Sequence, residues 1–301
     1  MDGGVGTGTP GTTEDRRPIG VIGGSGLYEL LASPAPVDVT TPFGTPSEAP
    51  VLGELGGRQV AFLPRHGADH RFPPHRVPYR ANLWALRALG VRQVVTVGAV
   101  GALVPDLARG AVVVPDQIID LTSGREHTVF DGVGTVVHVP FADPYCPRGR
   151  AAALSALGGR ALDVRDGGTL VVINGPRFST RAESRRNVAA GGTVVGMTGM
   201  PEAALARELA MCCTNLALVT DADAGVDGGE SVTHAAVLEE FARHLAVLRA
   251  SLTDVVTALP HDGGCGCRHA LDGFELPFAL PGEGTPDVAA RVDGGAPRAG
   301  R

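Results

Sequence analysis

Two stretches of the chain, VRQVVTVG (91–98) and AVVVPDQIIDL (111–121), are apolar at nearly every position rather than at every second one. A strand with one wet face alternates, so a strand apolar on both faces has to be covered on both, as helices cover an α/β sheet. Shorter runs join them: the start of RPIGVIGGSGLYEL (17–30), residues 50–55, RQVAFLP (58–64), GTLVVINGP (168–176), TVVGM (193–197) and NLALVTD (215–221). Helix patterns lie between. NLWALRALG (82–90) puts Leu83, Leu86 and Leu89 on one side and ends at Gly90. STRAESRRNVAAGG (179–192) and PEAALARELAMCC (201–213), the latter opened by Pro201, follow. Over 232–258, Val237, Phe241, Leu245, Leu248, Leu252 and Val255 recur at steps of three and four. The alternation predicts a single α/β domain with a central mixed, largely parallel sheet flanked by helices. It runs over 18–259, after a disordered tail at 1–17 and before a Gly/Pro-rich, mostly irregular extension at 260–301.

Charge and cysteine usage narrow the partners. A net charge of −6 and a pI near 5.8 argue against a nucleic-acid or anionic-membrane surface. No apolar run reaches spanning length without Gly, Pro or charge, and MDGGVGTGTPGTTEDRR lacks the apolar core of a signal peptide. A cytoplasmic protein is the expectation. The five cysteines are Cys146, Cys212, Cys213, Cys265 and Cys267; an odd count with two adjacent at a helix end does not suit a disulfide framework. His261, Cys265, Cys267 and His269 offer a zinc donor set, but the Cys-x-Cys spacing is tighter than in zinc fingers. The tail is read as a plain Gly-rich loop, and no metal is expected.

Polar residues gather where strands end. GGSG (23–26) follows a strand, so its amides and the Ser25 hydroxyl could cradle an anion. It is neither a dinucleotide fingerprint, for Glu29 stands where the third glycine should fall, nor a P-loop. Arg65 and His66 close RQVAFLP, and a bidentate guanidinium with an imidazole suits phosphate. Arg71, His75 and Arg76 read as a basic surface loop. With a turn at Gly98-Ala99 and the pair Met197-Thr198, four strand ends supply hydroxyls, turn amides and one fixed cation, an inventory for phosphate or a phosphorylated ligand. LALVTDADAG (216–225) ends on Asp221 and Asp223. Either these do ordinary turn work, or a carboxylate points into the crevice where α/β sheets bind ligands.

In consistent order, IGGSGL (22–27), TPFGTPS (41–47), RHGADH (65–70), YRANLWAL (79–86), GPRFSTRAE (175–183), VGMTGMPEAALARE (195–208) and VTDADAG (219–225) resemble the trimeric purine nucleoside phosphorylase family, in its 5′-methylthioadenosine phosphorylase branch. The resemblance spans about 18–258 and leaves the tails out. It implies cleavage of a purine nucleoside by inorganic phosphate, a co-substrate, with no organic cofactor. It further implies that Ser25, Arg65, His66, Ala99 and Thr198 hold phosphate, that Met197 lies against the ribose, and that Phe178 packs on sugar or base. A place in the core is the ordinary alternative for both Phe178 and Met197.

By the same resemblance, Asp221 faces N7 and the 6-amino group of adenine and acts as general acid, which needs a pKa raised by burial. The 6-oxo branch places Asn there, because a carboxylate facing O6 opposes two acceptors at a cost of about 1–3 kcal/mol. Ser179 stands where 6-oxopurine enzymes carry Glu, so it too favours a 6-aminopurine. Asp223 supports the loop or Asp221. The match departs at Gly98, where methylthioadenosine enzymes carry Thr, and at His234, where that branch has an apolar residue and enzymes accepting a 5′-hydroxyl have His. His138 matches a residue reaching into a neighbour's 5′ pocket, which implies a homotrimer. FPPHRVPYRANLWAL, TSGREHTVF and VGMTGMPEAALAREL also resemble bacterial methylthioinosine phosphorylases, so a 6-oxopurine or broad-specificity enzyme stays the alternative.

Overall fold

The computed structural model describes residues 17–24, 31–132, 134, 136–160, 162–224, 233–261 and 264–282. Among the described residues eleven strands form one sheet. β1 (Ile19–Gly23) lies between β4 (Arg58–Pro64) and β5 (Gln93–Ala102), parallel to both, and β3 (Val51–Leu55) and β2 (Ala32–Pro36) extend the β4 edge in antiparallel fashion. β5 also pairs in parallel with β11 (Cys212–Ala222), which carries β6 (Val112–Val114) and, beyond it, β8 (Val164–Asp166). On its other edge, past β1, β5 meets β10 (Gly192–Gly196), followed by β9 (Thr169–Val172) and β7 (Gln117–Asp120). The sheet is mixed and largely parallel, as the apolar runs require.

Neighbouring residues on β5 face opposite layers, which is why its sequence does not alternate. Val94 packs with Leu83 and Leu86 of α1 (Tyr79–Ala88) and Leu205 of α4 (Gly199–Glu208). Val95 packs with Leu157 of α2 (Pro147–Leu157) and Leu248, Leu252 and Val255 of α5 (His234–Ala258). Gly90 adopts φ 90° just past α1, the left-handed geometry that ends a helix. α3 (Arg181–Ala189) opens with a capping box: Thr180 Oγ1 accepts from the Glu183 amide and the Glu183 carboxylate accepts from the Thr180 amide.

Three expectations change. The run 111–121 is two strands, not one, because Pro115 and Asp116 interrupt the ladder between β6 and β7. Cys212 and Cys213 do not end a helix; they open β11, since α4 stops at Glu208 and Cys212 pairs with Gln93. The third is a matter of packing: over 264–282 the extension is irregular apart from a short 3-10 turn, yet it docks on the domain. Leu271 and Leu280 join the core beneath α1 and α4, Phe278 stacks on Phe130 with ring centroids 5.1 Å apart, and Arg87 Nη1 donates to the Pro281 carbonyl. Among the described residues no helix is long and apolar enough to cross a membrane.

Candidate active site

The crevice begins as a fork in the sheet. Along one edge of β5, β1 pairs with Val94–Thr96 and β10 with Gly101–Ala102, so among the described residues no strand covers that edge from Val97 to Val100. β11 follows the opposite edge throughout. Gly98 and Ala99 are therefore not a turn, as expected, but strand residues at the fork, kept extended by β11. The Val97 carbonyl on the uncovered edge accepts from Arg65 Nη1 at 2.8 Å, and strand alternation presents the Ala99 amide to the same edge. A Cβ placed on Gly98 would stand 3.7 Å from Thr198 Oγ1, so Thr198, at the start of α4, faces the fork too. The crevice lies where strand order switches, the usual position for a ligand in an open α/β sheet.

Arg65 and His66 enter from the end of β4, which is fixed to β1 by the Arg65 amide donating to the Gly23 carbonyl. Arg65 is 3% exposed and its fork is already engaged. Nε and Nη2 donate to Glu202 at 2.6 and 3.0 Å, and Nη2 also reaches the Ile22 carbonyl at 3.4 Å. The bidentate carboxylate partner is Glu202, on the Nε–Nη2 side of the guanidinium, and one Nη1 proton beyond the bond to Val97 has no partner among the described residues. His66 Nδ1 lies 2.8 Å from the Phe72 carbonyl, an acceptor only, which assigns the proton to Nδ1 and leaves Nε2 open. Burial, reinforced by the Arg65 charge, pushes the His66 pKa down to about 4. Its ring stacks on His70, 4.5 Å between centroids.

The two aspartates have separate settings. The β5–β11 register slips between Val219 and Asp221, a bulge that re-aims the chain at the strand's end. Asp221 is half-buried there, with Thr220 Oγ1 donating to Oδ2 at 2.9 Å. Its pKa is raised, chiefly by burial and then by the nearby Asp223 charge, against the opposing Thr220 hydrogen bond. Gly101 makes room for it: a Cβ there would sit 2.8 Å from Asp221 Oδ1. Asp223 is buried, its amide donates to the Ala102 carbonyl and its Oδ2 accepts from Ser184 Oγ at 2.5 Å. That bond ties α3 to the end of β11.

The segment between β9 and α3 adds Phe178 and Ser179. Ser179 is buried at 9% exposure, and its Oγ has no hydrogen-bond partner, an unmet polar group that a ligand can satisfy. Phe178 is half-buried, and Met197 packs against Gly175 so closely that a Cβ on Gly175 would meet Sδ at 2.5 Å. His138 is exposed, on the segment after β7. Ser25 lies outside the described residues, and so does the side chain of His234. Two positioning residues were not singled out from the sequence. Glu202 holds Arg65, and Arg125 donates to the carbonyls of Met200 and Asn174 and to Tyr79 Oη, joining the loop after β9 to α4. The only signal was their place inside the PEAALARE and TSGREHTVF segments.

Fold and crevice together define an enzyme class: the chain belongs to the phosphorylase superfamily, matched over residues 18–259. It is 56% identical over 272 residues to a purine nucleoside phosphorylase of Streptomyces coelicolor, covering 87% of this chain and 97% of the relative. It is 53% identical to an S-methyl-5′-thioadenosine phosphorylase of Mycolicibacterium smegmatis, covering 87% and 99%. Among solved structures it superposes on a methylthioadenosine phosphorylase from an Antarctic soil metagenomic library, with TM-score 0.80, 40% identity and coverage of 86% and 92%. The Schistosoma mansoni methylthioadenosine phosphorylase in complex with adenine gives TM-score 0.74 at 37% identity, covering 80% and 90%.

Proposed function

We propose that this protein is a pentosyltransferase that cleaves S-methyl-5′-thioadenosine with inorganic phosphate, yielding adenine and 5-methylthioribose 1-phosphate. The observation that carries it is Asp221, a half-buried carboxyl at a bulged strand end with its pKa raised. Protonated, it donates to N7 as the C1′–N9 bond breaks, and its other oxygen accepts from the 6-amino group. The electron pair of the breaking bond leaves on the base, and a phosphate oxygen captures C1′. Thr198, the Ala99 amide, His66 and Ser25 hold that phosphate, with the Arg65–Glu202 pair fixing the floor beneath it. A dianion beside His66 Nε2 favours the imidazolium, so His66 takes up a proton as phosphate enters. Positioning and charge neutralisation supply most of the rate. Ser179 and Phe178 line the base and sugar, Met197 the ribose, and Asp223 fixes the loop; His234, with His138 of a neighbouring copy, meets the 5′ substituent in a homotrimer. The reading needs no organic cofactor, and the place of action is cytoplasmic.

A second reading, a purine nucleoside phosphorylase of broader or 6-oxo preference, is favoured by the name of the Streptomyces coelicolor relative. Base release from methylthioadenosine and methylthioinosine, with and without phosphate, separates the two. Phosphate-dependent adenine release with the inosine analogue far slower is expected; the reverse order establishes the second reading. In Asp221→Asn the amide can occupy the same site but cannot give up a proton, so kcat for adenine release falls about 10²-fold or more. The 6-oxo reaction, relieved of opposed acceptors, improves by ~1–3 kcal/mol in kcat/KM. An unchanged kcat on methylthioadenosine would remove Asp221 from the chemistry.

A further inference from the structure

Far from the crevice, four cysteines converge from segments remote in sequence. Cys146 precedes α2, Cys212 opens β11, and Cys265 and Cys267 flank and enter the short 3-10 turn Gly266–His269. Their Sγ atoms all lie within 4.8 Å of one another, and Cys212 and Cys265 are 3.3 Å apart. Three of the four are buried, and none is in a disulfide. The histidines of the tail take no part in the set: the cluster does not include them, and His269 Nδ1 bonds Asp272 Oδ2 at 2.9 Å.

From this geometry we infer that Cys146, Cys212, Cys265 and Cys267 form a tetrahedral four-thiolate site for a structural zinc ion. Zn–S bonds of about 2.3 Å place tetrahedral sulfurs about 3.8 Å apart, a spacing the four Sγ atoms reach with small side-chain adjustment. Four mutually close sulfurs match one central ion better than two separate bonded pairs. The surroundings suit the extra negative charge. Cys146 stands at the N-cap of α2, where the helix dipole favours an anion. Strand alternation turns the fifth cysteine, Cys213, to the opposite face of β11, into the core beneath α1 and α4.

The site has a mechanical purpose in this chain. The match to the family model ends at residue 259, and the ion clips the segment beyond it back onto the start of β11, whose other end carries Asp221. The clip leaves Leu271, Phe278 and Leu280 seated against the domain. Where the sequence suggested a plain loop, the structure supplies two further donors from outside the tail.

The test is metal analysis of the untagged full chain, expressed with zinc and purified without chelator. About one zinc per chain is expected, and cobalt substitution gives the visible bands and thiolate charge transfer of a tetrahedral sulfur site. The double variant Cys265→Ser, Cys267→Ser loses the ion, whereas Cys213→Ser keeps it. Zinc-free protein with all five cysteines alkylatable in denaturant overturns the proposal, and so do two disulfides found by mass analysis of the same samples. The readout is metal and thiol content, so it stands or falls separately from any nucleoside activity.

Discussion

Replacing Gly101 by alanine tests whether the placement of Asp221 sets the rate. The new Cβ would lie 2.8 Å from Asp221 Oδ1, 0.6 Å inside an ordinary 3.4 Å contact, and at 3.4 Å from both Asp223 Cβ and Val195 Cγ1. Only the Asp221 carboxyl has to move, because the other two contacts are already tolerable. A carboxyl on two rotatable bonds yields easily, so the stability change should stay below about 1 kcal/mol, the range of a substitution without cavity or unpaired charge. Catalysis is less forgiving. A misplacement of about 1 Å costs on the order of 100-fold, so a shift of a little over half that predicts a fall of about 10-fold in kcat/KM for phosphate-dependent adenine release. The assay pairs those kinetics with thermal unfolding of the same preparations. An unchanged kcat/KM would refute the positioning argument, and so would a loss of activity matched by a large drop in Tm, which would mean general disruption.

Two further perturbations probe the phosphate side of the crevice. Glu202→Gln keeps the volume but leaves the Arg65 guanidinium buried with an uncharged partner, and denaturant unfolding should show a loss of about 3–5 kcal/mol; a loss under 1 kcal/mol would mean that other groups balance the charge. The depressed pKa of His66 makes stability pH-dependent. The unfolded imidazole binds its proton near 6.5 and the folded one near 4, so the contribution is fully present above 6.5 and is lost as pH falls through 4. His66→Asn, whose amide can still donate to the Phe72 carbonyl, should flatten that decline. Between pH 7.5 and 4.5 the parent should lose up to about 2 kcal/mol more than the variant; parallel curves would place the titration elsewhere, His70 being the nearest other imidazole.

The sheet and helices were legible in the linear chain because their cause is local. Val94 and Val95 are both apolar because β5 has a layer on each face, and that double demand is visible as an unbroken run. Asp221 could be singled out for the same reason: two carboxylates ending an apolar strand are conspicuous without any knowledge of the partner strands. The boundaries that failed are also local in origin. Pro115 splits a run that apolarity alone joins, and Cys212 is as apolar at the start of β11 as it would be at the end of α4.

Partner choice was not legible. The Arg65 fork reads as a phosphate clamp until Glu202, 137 residues later, is seen to occupy it. The four-cysteine cluster joins residues from 146 to 267, and no spacing rule within the tail points to Cys146 or Cys212. Nor does anything in QVVTVGAVGA say that β1 and β10 part company along its edge, leaving Ala99 at the fork. By itself the sequence determined which segments are buried strands and helices, and which of their ends carry polar groups. Only the tertiary structure decided which of those groups are consumed by one another and which remain for a ligand. The physical reason is that burial propensity is a property of each residue, whereas a hydrogen bond or an ion pair needs two groups at about 3 Å, and that distance is fixed by packing of the whole domain.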